Sequence, residues 1–335
     1  MVNTLGRKEL GDTAYRLPSL LPVKDVDVLM GPVRGEDAAV IRFSDGFLVT
    51  QSMRVITGTK RAGYLAIHVA SNSIAVRGAR PRWFLLAVFL PTWFSEACKV
   101  EFFEDMKRAL NEVGGVVVGG FAETAEVAKP LIAVTAMGYT KTRVILTRDA
   151  RIGDLVYVVG KVAGEGVGVI AWDFEEKLLE EGISKEVVNA AKELIHEVSV
   201  VDVALEIADY VNTMHNAVEG GILQALREVA IASGSAVSIN KERVQLEEPV
   251  RTIASRVNVD PLRLLSGGCI VVTVPPSNQR EFEKVVEGLG KPFSLIGQVV
   301  EGRGEVLVND GGGVEVIKDD LVDDIYKLWR QLGRG

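Results

Sequence analysis

Short runs rich in Val, Ile and Leu alternate along the whole chain with stretches whose apolar residues recur at helical spacing. This alternation is what most constrains the fold, because each half-apolar element must bury its face against another. Residues 38–43 (AAVIRF) and 47–55 (FLVTQSMRV) flank Ser44-Asp45-Gly46 and predict a hairpin. Residues 63–79 predict a helix that stops near Gly78. Pro81 follows, and RWFLLAVFLP is an apolar run of strand length. Ser95 is placed to cap the next helix, where Val100, Phe103, Met106 and Leu110 fall on one face. GGVVVGG and PLIAVTAMGYT are two more strands. The order β-β-α-β-α-β-β predicts an α+β domain with helices over one face of a sheet.

A polar, turn-rich joint at Arg148-Asp149-Ala150-Arg151-Ile152-Gly153-Asp154 marks a domain boundary, giving domains 1–147 and 148–335. The 335-residue length suits two domains. Beyond the joint come the strand LVYVVG, a glycine-rich turn from Gly160 to Gly168, and a helical stretch over 184–210. Its stripe is Val187, Ala191, Leu194, Val198, Val201 and Leu205. VNTMHNAV, a helix at 221–233 and further alternating strands and helices predict a second, α/β domain. A short amphipathic helix from Asp319 to Trp329 reads as a docked tail.

Charge narrows the ligands. Lys+Arg is 38 against Asp+Glu 45, a net −7, with no basic stripe, so nucleic acid is not an expected partner. An acidic chain that binds phosphate needs a cation between the two sets of charges, or backbone N–H groups in glycine turns. The 34 glycines supply the second means. Two distant cysteines, Cys98 and Cys269, without a CxxC, exclude a zinc ribbon and fit a reducing cytoplasm. No apolar stretch reaches the ~18–20 residues of a membrane span, and residues 1–6 lack a signal-peptide core. The expected location is cytoplasmic. Asn and Gln together number 16, which fits a thermophilic source.

Three segments carry chemistry. In Gly35-Glu36-Asp37-Ala38-Ala39-Val40 two carboxylates sit at the entry to a strand, where a metal or phosphate could meet them; a solvated turn has the same pattern. Val118-Gly119-Gly120-Phe121-Ala122-Glu123 ends a strand in paired glycines with an acid nearby, allowing close approach of a ligand or simply a turn. Met214-His215-Asn216-Ala217-Val218-Glu219-Gly220-Gly221 runs through glycines into a helix, whose N-terminus offers N–H groups to an anion. His215 is a base, a ligand or, as a single histidine at a strand end more often is, a hydrogen-bonded structural residue. His68 reads as a packing residue and His196 as a surface one.

In order and spacing these segments resemble the aminoimidazole ribonucleotide (AIR) synthase, or PurM-like, superfamily, which includes thiamine-phosphate kinase and selenophosphate synthetase. The hydrogenase-maturation dehydratase and its archaeal relatives form the branch most similar to this chain. GEDAAV is similar to the family GDDAAV, ASNSIAVRGARP to VNDLAxxGAxP, and VGGFAE to GGD or GGHTE blocks. MHNAVEGGI, DPLRLLSGG at 260–268 and IGQV at 296–299 continue the series. The resemblance implies a homodimer whose N-terminal sheets form a shared barrel, with ATP in a cleft of glycine loops and Mg²⁺ (or Mn²⁺ or Ca²⁺) bridging its phosphates to acids. Position by position, it implies Glu36, Asp37 and Glu123 as metal ligands. Gly35, Asn72, Gly119, Gly120, Asn216, Glu219, Gly220 and Gly221 are implied as nucleotide contacts.

Four family positions depart from the pattern. Thr50-Gln51-Ser52 replaces a TTD-like aspartate, Ser73 the helix aspartate, Phe121 an Asp or His, and Asn216 the HD aspartate. Lost charges weaken metal-mediated phosphate binding. Cys269 lies in a predicted buried strand and the tail reads Gln331-Leu332-Gly333-Arg334-Gly335, so cysteine-dependent dehydration lacks its nucleophile. Selenophosphate synthesis likewise lacks an N-terminal cysteine. Two functions are therefore expected: a nucleotide-binding, metal-dependent phosphohydrolase or phosphoryl-transfer enzyme, or a degenerate dimeric scaffold.

Overall fold

The computed structural model describes residue 22 and residues 25–55 and 61–332; the stretches 1–6 and 333–335 read in the sequence lie outside the described residues. The predicted hairpin forms as β2 (Ala39–Phe43) and β3 (Gly46–Val55), joined in antiparallel register by Ser44 and Asp45. With β1 (Val28–Met30), β4 (Arg80–Pro91), β5 (Val116–Ala125) and β6 (Leu131–Thr140) they make a sheet of order β1-β2-β3-β6-β4-β5. Two helices, α1 (Ala62–Ala75) and α2 (Glu96–Val113), lie on one face. There Val49, Phe84, Val88, Ile132, Val134 and Ala136 are buried. Among the described residues nothing covers the other face, and Leu85, Phe121 and Leu131 stand exposed on it.

Every residue of α1 is buried, which fits a helix of almost entirely small and apolar residues. It crosses α2 closely: a Cβ on Gly63 would come within 2.7 Å of Met106 Cγ and Phe102 O. Ser95 caps α2 by accepting from Cys98 N. The buried face of α2 is Phe102, Asp105, Met106, Ala109 and Val113, whereas Val100 and Phe103 are exposed. The predicted stripe was thus rotated by about one residue, since Asp105 goes inward to pair with Arg61 at 2.6 Å.

The second sheet holds β7 (Leu155–Gly160), β8 (Thr213–Asn216), β9 (Ala236–Asn240), β10 (Cys269–Val274), β11 (Phe293–Val300), β12 (Val306–Asn309) and β13 (Val314–Ile317). Their order is β13-β12-β9-β11-β7-β10-β8, with β9–β12 parallel and the other pairs antiparallel. The glycine-rich 164–168 segment is helical rather than a turn, forming the start of α3 (Gly164–Asp173). Its glycines permit close packing: Cβ atoms on Gly166 and Gly168 would meet Leu264 Cγ at 2.4 Å and Ile195 Cγ1 at 2.6 Å. Tertiary fit here outweighs helix propensity. The 184–210 stretch breaks into α5 (Lys185–Glu193) and α6 (Val201–Ile207), after the short α4 (Glu175–Glu180). Then come α7 (Gly221–Ser233), α8 (Glu248–Arg256), α9 (Gln279–Gly288) and the tail helix α10 (Ile325–Leu332). β1 and β13 were not foreseen from the sequence.

Candidate functional site

The two sheet domains meet where the acidic pair precedes β2. Gly35 (φ +85°) packs against α7 of the second domain, and a Cβ there would sit 2.6 Å from Glu228 O. This close approach turns Glu36 and Asp37 inward, with side chains only 2% and 8% exposed.

Both carboxylates are held by an internal cation. Arg77, just beyond the C-terminus of α1 and fully buried, places Nη2 2.7 Å from Asp37 Oδ2 and Nη1 3.3 Å from Glu36 Oε2. The same guanidinium donates to Ile145 O and Thr147 Oγ1, which fixes its plane. Glu36 also accepts from Thr147 N at 3.0 Å and Arg148 N at 3.2 Å. Asp37 Oδ2 accepts further from Asn216 N at 3.2 Å and lies 3.0 Å from His215 Nδ1. On its other side, His215 Nε2 is 2.8 Å from Glu228 Oε2, and Gln224 donates to Glu228 Oε1.

Electrostatics follow from these contacts. Burial pulls the His215 imidazolium down, but Asp37 and Glu228 on either side outweigh it and raise its pKa to about 9. His215 is therefore charged at neutral pH and donates from both nitrogens. Burial pushes Asp37 up, yet His215 and Arg77 overcome it and hold the carboxyl below its ordinary value. Two buried cations thus face three carboxylates, and two of the three acids implied as metal ligands, Glu36 and Asp37, already lie against an internal cation.

A divalent cation requires oxygen lone pairs free to coordinate it. Here Glu36 Oε1, Glu36 Oε2 and Asp37 Oδ2 are engaged by Arg77, His215 and backbone N–H groups; Asp37 Oδ1 is the one oxygen of the pair outside these contacts, and with two cations already at the pair this donor set does not fit Mg²⁺, Mn²⁺ or Ca²⁺. Glu123, the third implied ligand, is not brought to the pair. It stands exposed on β5, opposite Phe89 on the uncovered face, and four strand spacings or about 19 Å across the sheet from β2. No group of three or more His, Cys, Asp or Glu among the described residues is arranged to hold a metal ion.

The implied nucleotide contacts divide in the same way. Asn72 serves as a bolt between domains: its Nδ2 donates to Val198 O and Gly267 O at 2.7 Å, and its Oδ1 accepts from Val200 N. Gly119 and Gly120 lie on the exposed β5, and Gly120 (φ +126°) is required there because a Cβ would reach 2.0 Å from Leu86 O. Phe121 fills no cleft; its ring is half exposed and packs edge-on against Phe89.

Asn216, Glu219, Gly220 and Gly221 do come together, at the turn that opens α7. Gly220 and Gly221 both adopt positive φ, and a Cβ on Gly221 would meet Leu262 O at 2.5 Å. Asn216 is buried with neither side-chain polar atom hydrogen-bonded. Glu219 accepts from Tyr326 Oη at 2.5 Å and pairs with Arg54 at 3.4 Å. Gly220 N donates to Asp323 Oδ2 at 2.8 Å.

His68 is buried, hydrogen-bonded to Glu112 and held neutral by burial, with a pKa near 4; His196 lies edge-on to Tyr64. Sequence reasoning missed Arg77, Thr147, Glu228 and Asp323. Only Arg77 left a signal, as the lone charge closing an otherwise apolar helix.

Residues 35–140 match the family model "AIR synthase related protein, N-terminal domain", and residues 151–310 match the corresponding C-terminal domain. The chain is 24% identical to a thiamine-monophosphate kinase of Pyrococcus horikoshii, over 90% of this chain and 91% of that one. It is 26% identical to the carbamoyl dehydratase HypE of Azotobacter vinelandii, over 71% of this chain and 69% of that one. Among solved structures, "AaThiL complexed with AMPPCP and TMP" superposes with a TM-score of 0.72 at 21% identity, covering 94% of this chain and 100% of that chain. The HypE of E. coli gives 0.71 at 21% identity, covering 81% and 85%. With both domain models matched in order and the two-sheet architecture shared, the chain belongs to the AIR synthase related family.

Proposed function

We propose that this chain is a homodimeric nucleotide-binding member of the family that works without a divalent metal at Glu36–Asp37. It acts as a binding protein, and neither metal-dependent phosphoryl transfer nor dehydration is its activity. One observation carries this reading: the buried Arg77 guanidinium bridges the acidic pair where the resemblance would put Mg²⁺. Phosphoryl transfer through Glu36, Asp37 and Glu123 would require Arg77 to leave and Glu123 to cross the sheet.

Nucleotide binding is supported by the glycine turn at the head of α7 and the unpartnered Asn216 amide beside it. A structural neighbour whose title names AMPPCP, and a kinase relative, point the same way. Dimerisation is supported by the uncovered face of the first sheet, where Leu85, Phe121 and Leu131 are exposed beside the edge strand β5 with Val116 and Val118. Two free thiols fit a cytoplasmic location; no helix among the described residues is long and apolar enough to cross a membrane.

Calorimetric titration with ATP tests the reading, run once in EDTA and once in excess Mg²⁺, with phosphate release followed in parallel. The expected outcome is binding of similar affinity in both buffers and no phosphate release. Binding or turnover that appears only with Mg²⁺ would overturn it.

A further inference from the structure

Segment 318–332 is tied to both domains. Arg227 of α7 donates to Lys318 O, and Leu321 N donates to Gln224 Oε1 on the same helix. Across the junction, Arg34 of the first domain pairs with Asp320 at 2.5 Å, and Lys129 lies 4.5 Å over the Trp329 ring. Ile325 and Leu328 are buried, and such apolar anchors do not respond to pH. Asp323 lies among these anchors and is of another kind. It is fully buried, with one oxygen accepting from Ile325 N at 2.9 Å and the other from Gly220 N at 2.8 Å.

We propose that this segment is a pH-sensitive latch across the domain junction: the buried Asp323 carboxyl keeps it closed while protonated, and loss of that proton releases it. The surroundings of the carboxyl support this. No cation lies within ion-pair distance of it among the described residues, and the charged groups facing it are acids or are engaged elsewhere. Glu219, at the head of α7, pairs with Arg54 and accepts from Tyr326 Oη. Glu165 on α3 is itself buried and accepts from Gly267 N. Inside the segment Asp324 pairs with Lys327 at 2.6 Å, and Arg263, whose carbonyl accepts from Asp324 N, pairs with Glu315 at 3.0 Å.

A neutral carboxyl tolerates such a place, whereas a carboxylate without a cation is strongly disfavoured there. Burial raises Asp323 to about 8 against an ordinary 3.8; Glu219 and Glu165 add to the rise, and the bonds from Ile325 N and Gly220 N only partly oppose it. Burial also raises Glu165, to about 7, so its ionisation adds a second like charge over the same range. The sign follows. Between the ordinary and the docked value, a released segment has lost the Asp323 proton and a docked one retains it. Each pH unit in that interval therefore favours release, by up to about tenfold, and the effect levels off once the docked carboxyl ionises too. The Ile325 N bond lies within the segment and survives opening, so only the Gly220 N bond is given up. Release would free the contacts that Arg34 and Lys129 of the first domain make with the second.

Amide hydrogen exchange tests the latch in the full chain without any ligand, from about pH 5.5 to 9, each rate divided by that of an unstructured peptide at the same pH. Opening of 319–332 is expected to increase with pH, by up to about tenfold per unit, and then to flatten. Peptides covering 155–160 and 269–274, in the middle of the second sheet, should stay protected throughout. Asp323→Asn keeps the shape and one acceptor oxygen but cannot ionise, so its profile should be flat and its segment closed at pH 9. A flat profile in the unaltered chain overturns the proposal, whether or not the variant folds. So does a slope that persists in Asp323→Asn, because another group is then titrating. Opening of the central strands together with 319–332 also overturns it, since the event is then global unfolding and not release of a latch.

Discussion

Replacing Arg77 by Met removes the guanidinium and keeps most of its apolar stem. Glu36 and Asp37 then remain 2% and 8% exposed with His215 as the only cation beside them among the described residues. Breaking a buried ion pair by deleting one partner costs about 3–5 kcal/mol, because the remaining charge stays desolvated. Glu36 loses its sole cationic contact among the described residues, so the upper part of that range applies. At about 2.1 cal/mol/K of unfolding entropy per residue, each kcal/mol shifts the melting temperature of a chain of this size by about 1.4 °C, so Arg77→Met should melt about 6 °C below the parent in EDTA. The vacated position should then accept what the family resemblance places there. Saturating Ca²⁺ or Mg²⁺ should restore about 2–3 kcal/mol to Arg77→Met, the amount expected near a hundredfold excess over Kd, and leave the parent unmoved. A triple variant, Glu36→Gln with Asp37→Asn and Arg77→Met, removes the guanidinium and the two acids it faces, leaves the His215–Glu228 pair, and should recover most of the loss. Differential scanning calorimetry with and without EDTA reads all three proteins. The reasoning is refuted if Arg77→Met melts with the parent, or if divalent cations stabilise the parent and the variant alike.

Four further outcomes follow from the geometry. Asn72→Ala leaves Val198 O, Gly267 O and Val200 N without their partner; it should cost about 2–4 kcal/mol in urea unfolding and leave the nucleotide affinity of the folded fraction unchanged. Gly120→Ala forces a Cβ against the Leu86 backbone at positive φ and should cost at least about 2 kcal/mol, whereas Gly119→Ala, which meets only the flexible end of Leu85, should be nearly neutral by the same assay. Phe121→Glu puts a charge on the sheet face proposed for dimerisation and should convert the proposed dimer to monomer in sedimentation equilibrium while the melting of each protomer is retained. Stability should fall as pH rises. His215 titrates near 9 in the folded chain against an ordinary 6.5, and Asp323 near 8 against 3.8, so each binds its proton more tightly when folded. Their stabilisation is complete below the unfolded values and is lost through the folded ones, so melting temperature should decline between pH 6.5 and 9; a flat or rising profile would contradict the assignments.

The fold was legible because its signals are local. Ser95 as a cap, the turn at Ser44 and Asp45, and the helix opened by Gly220 and Gly221 each state their role within a few residues. Where the sequence misled, a distant contact decided. Asp105 turns inward to meet Arg61 and rotates the α2 stripe, and the glycines at 166 and 168 belong to a helix because Leu264 and Ile195 press against them. The candidate site was legible only as a set of segments. Glu36, Asp37, Asn216 and Gly220 were all singled out and do converge on the domain junction. What could not be read was who neutralises whom: Arg77 lies 40 residues from Asp37, and Asp323 lies 103 from Gly220. Motif matching tests whether ligands for a metal are present, but it is blind to an internal cation that has taken the same place.

That substitution of a guanidinium for a divalent ion is open to direct view. Crystals grown in Mn²⁺ and measured at a wavelength where manganese scatters anomalously would show any metal at the acidic pair. The expected map has no anomalous peak within bonding distance of Glu36 or Asp37, and the Arg77 guanidinium in contact with both. A peak ligated by those two carboxylates, with Arg77 turned away, would contradict the account at its centre.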